Sequence, residues 1–80
     1  LEQSRAAMQA GSYDAAAASI ERALRISPDD PSLWLELGEI KLATGDAQQA
    51  QLMARKAVSL AGGDRTVTAR AERLIDAAGR

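Results

Sequence analysis

Eighty residues carrying 10 basic and 11 acidic side chains make one small domain of net charge −1, too evenly balanced to present a surface for a phosphate backbone; nucleic acid is not an expected partner. With no cysteine and no histidine, disulfides, zinc–thiolate sites and imidazole acid–base chemistry are excluded. No apolar run approaches the roughly 20 residues that span a bilayer, and no signal peptide is visible, so no direct membrane insertion is expected.

The chain reads as helical from end to end. It has no phenylalanine and few β-branched residues, which disfavours strands. Alanine, leucine, glutamate, glutamine and arginine, all strong helix formers, dominate. Five helices are predicted in chain order, over residues 1–9, 13–26, 31–43, 47–60 and 65–78. The first stops at Gly11, a residue suited to a left-handed turn, and the second folds back from it. After "SPDD", Asp30 is placed to cap the third helix and Pro31 to begin it. Gly45 closes that helix, and Asp46 with Gln49 gives a variant of the capping box for the fourth. "AGGD" ends the fourth helix and offers Asp64 as the cap of the fifth. In that last helix Val67, Ala71, Leu74, Ile75 and Ala78 form a single apolar stripe.

A shift of 34 residues brings the chain onto itself. Gly11, Gly45 and Gly79 share one phase. Ala16 meets Ala50, Ala23 meets Ala57, Leu1 meets Leu35, and Asp30 meets Asp64. Glycine at position 38 and alanine at 16, 23, 50 and 57 allow paired helices to approach closely. Within this repeat, "WLELGEIKLATGDAQQAQLMARKAVSLAGGD" resembles the tetratricopeptide repeat. Trp34, Leu37 and Gly38 match its W-x₂-L-G start, and Ala50 and Ala57 fall at the small positions of its second helix. Pro28 matches the closing proline of the preceding unit. Lys41 and Ala54 stand where the family carries aromatic residues, and Gly62 replaces the second closing proline.

The resemblance implies an all-α fold of antiparallel helix-turn-helix repeats stacked as a short right-handed α–α superhelix. Residues 1–30 form an N-terminally incomplete repeat, 31–64 a complete one, and 65–80 a capping helix. Because the first unit starts in mid-helix without the counterpart of Pro31–Trp34, something is expected to precede Leu1 in a longer protein. Glu72 at the phase of Gly38 would obstruct a further close-packed helix, in keeping with a cap. The alanine-rich composition resembles bacterial members of the family, including envelope-associated ones.

No catalytic constellation emerges. The serines and threonines lack a histidine to activate them, and the carboxylates read as caps and solvated faces. Asp29, Asp30 and Asp64 lack calcium-loop spacing, and the glycine pair in "AGGD" reads as a turn. No catalytic residue, cofactor or metal is therefore expected. The resemblance implies instead a concave groove, lined by the first helix of each unit, that holds a peptide or helix of a protein partner. By phase the groove residues are Arg5, Met8, Leu35, Glu39, Leu42 and Arg73: an apolar track with a ladder of alternating charges. Leu35 and Glu39 occupy the phases of the family's carboxylate clamp, and the chain has no asparagine, so capture of an acidic C-terminal tail is not implied. Two other readings compete: self-association, through the groove or the N-terminal face, and a regulatory appendage of a larger enzyme.

Overall fold

The computed structural model describes the backbone of residues 2–79 and the side chains of residues 11–79. Its helices are α1 (Glu2–Ile26), α2 (Pro31–Ala43), α3 (Ala47–Leu60) and α4 (Arg65–Ala78), with no strand among the described residues. The capping signals of the sequence operate as local chemistry. The Asp30 carboxylate accepts from the Ser32 amide at 2.9 Å, with proline at the start of α2. Asp46 accepts from the Gln49 amide at 3.1 Å, and Asp64 from the amides of Thr66 and Val67 at 2.9 and 3.3 Å. Each satisfies donors that the first turn of a helix leaves without an intrahelical partner.

The turn between α2 and α3 is a complete Schellman closure. Gly45 sits at φ +90°, its amide donates to the Leu42 carbonyl at 3.1 Å, and the Asp46 amide donates to the Lys41 carbonyl at 2.8 Å. Gly11 has the same phase and behaves differently. It lies inside α1 and does not take a positive φ. The expected pair of helices at 1–9 and 13–26 is thus one helix of 25 residues, and the fold has four helices rather than five. Helix continuity retains the i→i−4 hydrogen bonds that a turn would break, at a cost of about 1 kcal/mol for the glycine. Against that, segment 1–9 offers only Leu1 and Met8 as large apolar side chains to a hairpin, whereas α2 brings Leu33, Trp34, Leu35, Leu37, Ile40 and Leu42. Gly79 likewise ends α4 with φ −80°, not in the left-handed region.

The core sits between α2, α3 and α4. Leu35, Ala50, Ala54, Ala57, Val67, Ala71 and Leu74 form one buried cluster, with Trp34, Leu42, Ala61, Ile75 and Ala78 packed at its edge. Small residues set the spacing of α2 and α3. A Cβ built on Gly38 would come within 2.8 Å of Leu74 Cδ2 and 3.1 Å of Met53 Cβ, so any larger residue at this crossing forces its neighbours to shift. Trp34 anchors the loop before α2 by donating from Nε1 to the Pro28 carbonyl at 2.8 Å, and its ring lies 5.9 Å from Lys56 Nζ, within cation–π range. Among the described residues, helix α1 adds none to the buried cluster; it lies against α2 and leaves a furrow between them.

Candidate functional site

That furrow is an open groove of about 530 Å³. Tyr13, Ala16, Ser19 and Ile20 form one wall, and Glu36, Glu39, Ile40 and Ala43 the other. The two sets recur at helical spacing, so each wall is one continuous helix face. The floor is apolar. The polar groups along the α2 wall are the carboxylates of Glu36 and Glu39, both on exposed residues. Glu39 is already engaged across the stack, because Arg70 Nη2 of α4 donates to its two oxygens at 3.1 and 3.2 Å. With the two side chains 36% and 47% exposed, this ion pair fixes register more than it adds stability.

Of the six residues chosen by phase, the four whose side chains are described fall in different settings. Glu39 lies on the groove wall as an exposed residue. Leu35 does not face the groove: it has no exposed surface and lies in the cluster shared with α3 and α4. The physical reason is that α3 and α4 both pack against α2 and enclose the cluster in which Leu35 stands. Leu42 is half-buried at the edge of the same cluster. Arg73 is exposed on α4, and the charge partner of Glu39 is Arg70 instead. Arg5 and Met8 belong to the part of α1 whose side chains lie outside the described residues.

Sequence reasoning placed Ala43 on the groove face along with Glu39, and missed Tyr13, Ala16, Ser19, Ile20, Glu36 and Ile40. The signal for the α2 members was present, since 36, 40 and 43 recur every three to four residues along a stripe about a third of a turn round the helix from Leu35 and Leu42. The α1 members could not be reached while a separate helix was expected to cover them. Among the described residues no group of acidic side chains is arranged to hold a metal ion, and no helix is long and apolar enough to cross a membrane.

A model of the tetratricopeptide repeat matches residues 7–72, most of the chain. No curated protein and no solved structure matches it. The matched span contains both walls of the groove.

Proposed function

We propose, from the premise that the chain belongs to the tetratricopeptide repeat family, that it is a protein-interaction module whose α1–α2 groove holds a helical segment of a protein partner. Repeats of this family generally mediate protein–protein interaction, and the family is typically not enzymatic. The observation that carries the reading is the open apolar furrow flanked by one face of α1 and one of α2. A furrow of that form suits an amphipathic helix, whose apolar stripe would seat between Tyr13, Ile20 and Ile40. Glu36 and Glu39 on the rim favour a segment with a cationic residue next to that stripe, which selects partner and register more than it adds affinity. Alanine at 16 and 43 keeps the walls low, so the two backbones can approach closely.

Of the residues chosen by phase, Glu39 keeps its place in this reading, Leu42 borders the face from within the stack, and Arg5 and Met8 belong to the flanking segment. Leu35 supports the groove from the core instead of touching a partner. A photo-crosslinking side chain at Ala43, exposed on the α2 wall, tests the reading against the same group at Arg55, exposed on α3 outside the groove. Crosslinks to helical segments from Ala43, diminished when Ala16 is replaced by arginine, are the expected result. Equal yield from both positions, or indifference to the Ala16 substitution, would overturn it.

A further inference from the structure

We infer that the helix seated in this groove is residues 12–26 of a second copy of the chain, the two α1 helices lying antiparallel about Ser19 so that Arg22 and Ile26 of each copy enter the groove of the other. The inference rests on the groove reading above and names its occupant. That reading asks for a helix with an apolar residue and a cation side by side, and the last turns of α1 offer this combination. Ile26 is 84% exposed, more than Leu52 at 53% or Val58 at 37%. Arg22 stands one turn before it on the same helix and is exposed as well.

The face that carries them borders the groove. At about 100° per residue, Ser12, Ala15, Arg22 and Ile26 all fall within about 60° of Ser19 around the helix, and Ser19 itself lines the groove. Arg22 Nη2 donates to Ser19 Oγ at 3.1 Å, which holds the guanidinium at the groove edge. Among the described residues Arg22 makes no ion pair, and neither does Glu36 on the facing wall. Ser12, Ala15, Ser19, Arg22 and Ile26 follow one another by three and four residues, the spacing of a seam between two helices, and each is exposed in the single chain.

Antiparallel pairing about Ser19 matches size and charge together. It sets Ile26 of one copy against Ser12 of the other and Arg22 against Ala16, each larger side chain against a smaller one. A serine on the axis, with alanine at 15, 16 and 23 beside it, permits the two helices to approach closely. Arg22 of the second copy then lies over the groove, whose α2 wall carries Glu36 and Glu39. Glu39 already has Arg70, so Glu36 is the carboxylate that gains a partner. A two-fold axis repeats every contact, both grooves fill, and the interface is isologous and closed.

Sedimentation equilibrium of the full chain over a range of concentrations tests this. The expected result is a reversible dimer of twice the monomer mass. Ile26→Asp weakens it by roughly tenfold or more, since a carboxylate then enters an apolar groove rimmed by carboxylates. Arg22→Glu weakens it too, and the double variant Arg22→Glu with Glu36→Arg restores it. Leu52→Asp, exposed on α3 outside the groove, leaves it unchanged. Circular dichroism confirms that each variant folds. The chain has no cysteine, so Ser19→Cys adds a single thiol on the axis. Oxidised glutathione should join it to its counterpart in the other copy, and Leu52→Cys should stay unjoined. A monomer at every concentration, a dimer indifferent to Ile26→Asp, or equal joining at positions 19 and 52 would overturn the inference. Crosslinking from Ala43 separates the two readings. Products mapping to residues 12–26 of another copy support both. Products mapping only to a different protein leave the binding module standing and sink the pairing of copies.

Discussion

At the scale of the residue, the position most constrained by the structure is Gly38. Leucine has the better intrinsic helix propensity, by about 1 kcal/mol, so a surface helix would gain from the substitution. Here the first atom of the new side chain already falls within 2.8 Å of Leu74 Cδ2 and 3.3 Å of the Ala50 carbonyl oxygen. Gly38→Leu should therefore destabilise the fold by about 1–3 kcal/mol or more through overpacking; a melting temperature equal to that of the parent would refute the close crossing. Leu35 and Leu42 make a second comparison. Leu35 has no exposed surface, and Leu42 lies at the rim of the cluster. Leu35→Ala should cost about 2–5 kcal/mol, and Leu42→Ala distinctly less, as read from urea denaturation midpoints. The reverse order would return Leu35 to an exposed face. Replacing Glu39 by glutamine should change stability by less than about 1 kcal/mol, because its ion pair with Arg70 is solvated.

At the scale of the element, Gly11 and Gly45 show that a residue permitted in a turn does not by itself make one. Gly45 is held at φ +90° because the chain on both sides is fastened: α2 is pinned to α3 at Gly38, and Asp46 caps the helix that follows. Gly11 has no such fastening and no close neighbour, so the helix runs through it. Opposite outcomes follow for one substitution. Gly11→Ala should slow amide hydrogen exchange at residues 12–15 by stabilising the helix up to about 1 kcal/mol. Gly45→Ala should lower global stability by about 1–2 kcal/mol, the cost of a Cβ in the left-handed region. If the two variants shifted in the same direction, the contrast between the two turns would be wrong.

At the scale of the whole molecule, the buried cluster of the described residues is drawn from three helices, and α1 packs beside it against α2. Every residue of the buried cluster comes from α2, α3 or α4. The stripe of Val67, Ala71 and Leu74 on α4 is buried, while Glu72 faces solvent, an arrangement suited to the end of a stack. Removing residues 65–80 should bare Leu35, Ala54 and Ala57, and the product should aggregate or lose cooperative unfolding; a monomeric, cooperatively folding product would refute the capping role. The α1–α2 groove has the opposite character. None of its lining residues belongs to that cluster.

The sequence by itself determined what local chemistry controls. Asp30, Asp46 and Asp64 cap because a carboxylate one step before a helix meets free amides, wherever the helix then packs. The small residues at 38, 50 and 57 and the 34-residue period marked the repeat family for the same reason, since each unit repeats its own spacing. The last three helices, their bounds and the close crossing at Gly38 were legible on these grounds. The tertiary structure decided the rest. Whether Gly11 turns depends on the balance between helix continuity and the burial that a hairpin would gain, and that burial lies far away in the chain. Which face of α2 is open depends on where α3 and α4 dock: their cluster takes in Leu35 and Leu42, and Glu36, Ile40 and Ala43 are left in the furrow. Phase along one helix fixes which residues share a face, and only the neighbouring helices fix which face meets solvent.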